Sequence, residues 1–268
     1  MSVTLAITYH DPHSRLSCLV ERVLPLITAT FAGVVVQASS VASARSLALF
    51  ADAGAIIGRD QTEQLRGAVQ LGRARRAAVR LALGQRAAYI LMFDGDRLLH
   101  WASTYPDEME QVVADIPRYD FTVLGRTPRA IATHPDSQAD TEQLVNRLFA
   151  GITRQAWDVM AAARGLSRRA ATTILEGCPD EGISVDVTWP LFLQKVGGFT
   201  QGYIPIEGLE FETPDRYAPE IIAAGGIDAW MARVDADPRR WAHRLNLALL
   251  HTEAMIPYAS ADTHLERT

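Results

Sequence analysis

Two carboxylates one residue apart, Asp94 and Asp96, flank Gly95 directly after the apolar run Tyr89-Ile90-Leu91-Met92-Phe93. A hard divalent cation such as Mg²⁺ or Mn²⁺ takes oxygen ligands and keeps phosphate oxygens and waters in its remaining positions. Held at Asp94 and Asp96, it would neutralise a diphosphate leaving group as the bond to a sugar breaks. Asp-Gly is also a common turn dipeptide. The buried strand that precedes it favours the metal reading.

Other polar residues fall where the same chemistry would need them. Tyr9, His10 and Asp11 end the apolar stretch that begins at Val3, and Gln37-Ala38-Ser39 ends Gly33-Val34-Val35-Val36. Tyr9 reads either as a base-stacking ring or as the last core residue of its strand. Arg66, Arg73, Arg75, Arg76 and Arg80 load one helical stretch, with Arg73, Arg76 and Arg80 on one face and Arg75 on another. An arginine fork suits phosphate, and a solvated charged face is the competing reading. Gly67 and Gly72 permit close helix packing or approach to a phosphate. Arg126 and Arg129 form a basic loop around Pro128 that could hold an anionic acceptor or lie at the surface. Asp186 could orient an acceptor hydroxyl or cap a helix. Trp101, after His100, borders a sugar pocket or belongs to the core. No Ser-His-Asp arrangement, Walker loop or Gly-x-Gly-x-x-Gly sequence is present.

Strand–helix alternation positions these residues. Val3–Tyr9, Gly33–Val36, Ala55–Ile57 and Tyr89–Phe93 read as strands, separated by helices over 14–24, Ser43–Ala53 and Thr62–Gly84. Ser14 is placed as the cap of the first helix. This pattern predicts a mostly parallel α/β sheet whose ligands bind beyond the carboxyl ends of the strands. His10-Asp11, Gln37-Ala38-Ser39 and Asp94-Gly95-Asp96 all reach that edge. Downstream, a helix runs from Pro106 to Ile116 and a strand from Phe121 to Gly125. Further helices start at Asp140 (through Leu144, Val145, Leu148, Phe149 and Ile152) and after Ser167. Pro190 starts or kinks a helix within Val185–Val196, Tyr203–Phe211 is a strand, and Asp237-Pro238 opens a closing helix to Met255. The last ten residues are polar and expected to fray.

Composition sets outer bounds. The 268 residues are 48% hydrophobic and 21% charged, an ordinary globular mix. A net charge of −5 lacks the field of a nucleic-acid binder. Cys18 and Cys178 form no CxxC pattern and read as two buried thiols in a reducing cytoplasm. No basic leader or membrane-length apolar run is seen, so a soluble, cytoplasmic protein is expected.

The segment Gly72-Arg73-Ala74-Arg75-Arg76 through Asp94-Gly95-Asp96 resembles the Gly-x-Ala-Arg-Asn helix, apolar strand and Asp-x-Asp motif of GT-A glycosyltransferases. Leu124-Gly125-Arg126 resembles the Gly-Ser-Arg strand end of dolichol-phosphate-mannose-synthase-like members. Asp158 and Ala163-Arg164-Gly165-Leu166 resemble their Asp and Gly-Phe-Arg-like turn. Gly182-Ile183-Ser184-Val185-Asp186 is similar to the acceptor-side segment of glucosyl- and mannosyl-phosphoglycerate synthases. The resemblance implies a GT-A domain: a nucleotide-sugar-binding half (1–130), an acceptor-side half (131–225) and a C-terminal helical segment (226–268).

It also implies a metal-assisted hexosyltransferase using a nucleotide-sugar donor. Asp94 and Asp96 would hold Mg²⁺ or Mn²⁺, with Gly95 at the donor and Arg75 on the diphosphate. Tyr9, Asp11 and Gln37 would hold the nucleoside, and Arg126, Arg129 and Asp158 a small anionic acceptor. Asp186 would be the base if configuration inverts and an orienting group if it is retained. The chain would act on small molecules, alone or as a homodimer, without nucleic acid or a membrane span. Three departures stand out: Arg76 replaces the usual Asn, Gln37 replaces acidic residues, and no His follows Tyr203–Phe211. Glu210, Glu212 and Asp215 occupy that region, and the next histidines are His243 and His251. Two alternatives follow: a catalytically silent GT-A-like binding module, or a sugar nucleotidyltransferase, which would carry a Gly-rich basic loop after the first strand.

Overall fold

The computed structural model describes residues 2–59 and 68–259. The expectations for Thr62, Arg66, Gly67 and the polar end beyond residue 259 lie outside them.

The first half is built from β1 (Val3–Tyr9), α1 (Ser17–Thr30), β2 (Gly33–Ala38), α2 (Ala44–Asp52), β3 (Ile56–Arg59), α3 (Ala68–Leu83) and β4 (Tyr89–Asp94). Then come α4 (Gly95–Thr104), α5 (Pro106–Asp115), β5 (Phe121–Arg126), α6 (Pro128–Ala132), α7 (Asp136–Thr153), β6 (Ala163–Ser167), α8 (Arg168–Gly177) and α9 (Val185–Val196). The chain continues with β7 (Gln201–Ile206), α10 (Pro214–Ala224), α11 (Ile227–Asp235) and α12 (Pro238–Met255). The seven strands form one sheet in the order β3-β2-β1-β4-β6-β5-β7. Only β6 runs against its neighbours, so β1, β2, β4, β5 and β7 all end at one edge.

Side-chain alternation along each strand divides the core in two. Leu5, Ile7, Leu91 and Phe93 pack with Leu16, Phe50, Leu98 and Met109 on one face. Ala6, Ile90 and Met92 pack with Val79, Ile174 and Leu191 on the other. Both faces of β1 and β4 are therefore dry, which is why these strands read as continuous apolar runs. Trp101 is core, stacked on Phe93 with ring centroids 5.2 Å apart.

Several expectations are corrected. Ser14 does not cap α1, whose N-cap position is Leu16 with no side-chain cap; the Asp11 carboxylate holds the preceding turn, accepting from the backbone nitrogens of Arg15 at 3.0 Å and Leu16 at 2.8 Å. Cys18 is exposed, and only Cys178 is buried. The predicted turn at Ala163-Arg164-Gly165-Leu166 is the central antiparallel strand β6. The strand expected over Tyr203–Phe211 ends at Ile206. Pro190 lies inside α9. Helix α7 begins at Asp136 rather than Asp140, and it buries Thr141, Val145 and Phe149 while Leu144 and Leu148 stay exposed. Helices α10 and α11 were not foreseen because α10 buries only Ala224 and α11 buries nothing. Neither has an apolar stripe facing a core.

Gly72 is fixed by packing: a Cβ there would meet the carbonyl oxygen of Gly182 at 1.8 Å. That close approach brings the segment leading into α9 against α3. Gly72→Val is expected to lose about 1–3 kcal/mol of stability from overpacking. Gly151→Ala, on an open stretch of α7, should gain roughly 0.5–1 kcal/mol. Urea denaturation reads both, and an unchanged midpoint for Gly72→Val would refute the packing role.

Candidate functional site

Alternation along β4 sends Ile90, Met92 and Asp94 to the α3 face, and the sheet register pairs Asp94 with Thr8. Thr8 Oγ1 donates to Asp94 Oδ1 at 2.8 Å. Arg75, on α3 and only 2% exposed, closes a fork on the same carboxylate, with Nε 3.2 Å from Oδ1 and Nη2 2.7 Å from Oδ2. Its third nitrogen, Nη1, donates to Asp186 Oδ2 at 3.0 Å. Asp186 is 3% exposed and also faces Arg164 Nη2 at 3.7 Å and His251 Nε2 at 3.9 Å. Two arginines thus meet two aspartates inside the protein, and the buried charge is balanced.

Gly95 turns the chain from β4 into α4 against β1. A Cβ there would meet the Thr8 carbonyl oxygen at 2.6 Å and the Tyr9 ring at 3.0 Å. That turn lifts Asp96 onto the rim. Asp96 Oδ1 accepts from the Arg97 backbone nitrogen at 3.0 Å, and Oδ2 pairs with Arg216 of α10 at 3.0 Å. Arg216 also donates to the His10 carbonyl oxygen at 3.0 Å. Behind this pair lies Glu212, 9% exposed, with Oε1 3.8 Å from Arg97 Nε and Oε2 buried without a hydrogen-bond partner. Burial pushes the Glu212 carboxyl above its ordinary range; Arg97 opposes this, and the charge of Asp96 adds to it. Asp96 opens on a cavity of about 480 Å³ whose walls include Arg216, Trp230, Arg240, His243 and Arg244.

The other predicted site residues are redistributed. The polar atoms of Asp94 and Arg75 are engaged with each other, with Thr8 and with Asp186. Tyr9 is a core residue, edge-on to Phe50 at 5.4 Å, its hydroxyl donating to Asp11 at 3.3 Å. Asp11 is buried in the turn that leads into α1, and Gln37 is buried near Gly58. At that end of the sheet His10 stays exposed, its Nδ1 2.9 Å from Ser39 Oγ. Arg126 is the last residue of β5, not a loop residue, and is 3% exposed. It grips Asp158 at 2.7 and 2.9 Å and Glu142 at 2.6 Å. Asp158 accepts further from Asn146 at 2.8 Å. Arg129 is exposed but bound to Glu207, to Glu210 at 2.6 Å and to Tyr105 at 2.8 Å. Arg76 leaves its expected solvent face and donates to the carbonyls of Leu175, Cys178 and Asp180.

Sequence reasoning missed Arg164, Glu142, Arg97 and Arg216 as site residues. A signal for Arg164 existed: one arginine inside the apolar run Val159–Leu166 calls for a buried carboxylate. Arg216 carried no comparable signal. His251 sits beside Asp186, and His243 is exposed on the cavity wall, so neither is paired with Asp96. Among the described residues, no three or more His, Cys, Asp or Glu side chains are grouped to hold a metal ion. No helix among them is long and apolar enough to cross a membrane.

No protein-family model matches the chain, and no curated protein is similar enough in sequence to be matched. Solved structures do match. Glucosyl-3-phosphoglycerate synthase from Mycobacterium tuberculosis, in complex with Mn²⁺, uridine diphosphate and phosphoglyceric acid, superposes with a TM-score of 0.53 at 11% identity, covering 76% of this chain and 68% of that one. Another crystal structure of that enzyme gives 0.53 at 12% identity, over 77% and 71% of the two chains. A mycobacterial protein gives 0.52 at 12% identity, over 84% and 75%. The fold is therefore that of the GT-A glycosyltransferases.

Burial alone would raise the Asp186 carboxyl, but Arg75, His251 and Arg164 outweigh it and hold the group down to about 2. A carboxyl depressed in the folded state stabilises above its unfolded value, near 3.8. That stability disappears as pH falls through the folded value. Acid titration of the wild type should therefore lose on the order of 2 kcal/mol between about pH 4 and pH 2 from this group. Asp186→Ala, which strands Arg75 and Arg164, should cost about 3–5 kcal/mol at neutral pH. Denaturant melts across pH check both; a variant as stable as wild type would show that the cluster is not structural.

Proposed function

We propose that the chain is a metal-assisted, nucleotide-sugar-dependent glycosyltransferase that passes a hexosyl group to a small anionic acceptor. One observation carries the reading. The buried Arg75–Asp94 fork fixes the end of β4, so that Asp96 is held out at the sheet edge where α/β proteins of this build bind ligands. The structural neighbours with Mn²⁺ and uridine diphosphate add support at the level of fold.

The donor set fits a divalent cation through two carboxylates, not through the Asp-x-Asp pair. Asp96 and Glu212 would hold it, because Glu212 has an orphaned buried oxygen that a cation would satisfy. Mg²⁺ and Mn²⁺ sites with one or two protein carboxylates draw their other ligands from phosphate oxygens and water. Such an ion, when bound, supplies charge neutralisation of the diphosphate leaving group.

The chain's own residues do the rest. Asp94, Arg75, Asp186 and Arg164 are positioning residues that keep the strand end still. Arg216, released from Asp96, can face the leaving diphosphate with an unpartnered Nε. His10 and Ser39 border the nucleoside side. Electrostatic stabilisation of the departing charge is the main catalytic effect. We place this chemistry in the cytoplasm.

A second reading has its own observation. Arg216 already neutralises Asp96, which suits a module that binds a ligand without metal or transfer.

Calorimetry with UDP-glucose and GDP-mannose, with and without Mn²⁺, separates the two. The transferase reading expects Mn²⁺-dependent donor binding that Asp96→Ala abolishes, with transfer reduced about 10²-fold or more. Metal-independent binding that survives Asp96→Ala would favour the silent module, and no binding of either donor would end the transferase reading.

A further inference from the structure

The cavity beside Asp96 is lined by both aromatic and cationic side chains. Trp230 is stacked with Tyr217 at 6.2 Å and tilted against Phe211 at 6.1 Å, and all three rings line the space. Into the same cavity α12 presents Arg240, His243 and Arg244, a three- and four-residue spacing that puts them on one helix face. The acidic residues lining the cavity are already neutralised, Asp96 by Arg216 at 3.0 Å and Glu220 by Arg15 at 2.8 Å. Arg244 shares its charge with Glu142 at 3.4 Å. Arg240 has no ion-pair partner among the described residues. Arg216 Nε is buried without a hydrogen-bond partner. The cavity thus carries uncompensated positive charge beside an aromatic cluster, and its 480 Å³ falls in the range of small-molecule sites.

We propose that this cavity is the acceptor site and that the acceptor is a hydroxylated acid with an apolar ring. Its ring would lie against Trp230, and its carboxylate or phosphate would face Arg240 and Arg244. Its hydroxyl would point to the Asp96 end, where the donor sugar arrives. The inference rests on the transferase reading for the word acceptor; the ligand chemistry rests on the cavity alone. A charged group near arginines gives direction, and a ring against Trp230 gives selectivity over open-chain acids. Transfer would form a bond from the acceptor oxygen to the sugar carbon as the bond to the diphosphate breaks, the hydroxyl proton leaving to solvent and the electron pair to the diphosphate.

Saturation-transfer NMR on the full chain tests this with 4-hydroxybenzoate, 4-hydroxyphenylacetate and 4-hydroxyphenyl phosphate. The controls are 4-hydroxybenzyl alcohol, which lacks the charge, and lactate, which lacks the ring. UDP binding with Mn²⁺ is measured on the same samples. At least one aryl acid should bind wild type through its ring protons, and both controls should bind at least about tenfold more weakly. Arg240→Ala and Trp230→Ala should each weaken the aryl acid by at least about tenfold and leave UDP binding unchanged. The carboxylate and phosphate probes tell which anion is preferred.

Wild type that binds UDP but none of the three acids overturns the proposal, as does lactate binding equally well or neither variant having an effect. Aryl-acid binding without UDP binding upholds the ligand class and overturns the transferase reading instead. Arg240 is exposed on α12, so its substitution tests the site even where Trp230→Ala perturbs folding.

Discussion

Arg75 holds two aspartates at once, and the arrangement of the sheet edge follows from that. An arginine buried to this degree is costly unless every donor is met by an acceptor. Here the guanidinium has Asp94 on two nitrogens and Asp186 on the third. Asp94 ends β4, and Asp186 lies in the first turn of α9. Arg75 itself lies on α3, so one side chain ties three elements that are distant in sequence. Removing any member leaves a buried charge unanswered. This makes the cluster a poor candidate for chemistry and a good one for holding a neighbouring residue still.

The same rule recurs across the structure. Arg126 meets Asp158 and Glu142, and Arg97 lies against Glu212. Most charges inside are paired; several buried polar atoms still lack a hydrogen-bond partner, in the Asp186 and Arg126 clusters among other places, and two of them neighbour Asp96. Glu212 Oε2 and Arg216 Nε are both buried without partners. Unsatisfied polar atoms are rare in folded proteins and call for an explanation. Here they lie on either side of a carboxylate at the ligand-binding edge, one of each sign. A cation and a phosphate would satisfy both.

Much of the fold could be read from the chain because the strands are buried on both faces. Val3–Tyr9 and Tyr89–Phe93 leave no ambiguity between a half-exposed strand and an amphipathic helix. β6 escaped because Arg164 interrupts its apolar run, and sequence gives no sign that Asp186 will lie across from it. α10 and α11 escaped because they bury almost nothing. At the site, Arg75 and Asp94 are in direct contact, while Asp96, two residues on, pairs with Arg216 at the rim. Residue type says that an arginine and an aspartate suit phosphate and metal; only the register Thr8–Asp94 and the facing of α3 reveal that they satisfy each other. Where a histidine is missing, the sequence offers Glu210, Glu212 and Asp215 in that region and His243 and His251 further on. Of the carboxylates, Glu210 and Asp215 bind His100 at 3.1 and 2.8 Å, which leaves Glu212.

The central claim is that Asp96 and Glu212, and not Asp94, meet the donor's metal. An anomalous-scattering map from crystals of the chain with Mn²⁺ and UDP tests it most directly. The account predicts a manganese peak between Asp96 and Glu212, with Arg216 moved off Asp96 and Arg75 still forked on Asp94. A peak on Asp94 with Arg75 displaced, or UDP bound with no manganese near Asp96, would contradict it.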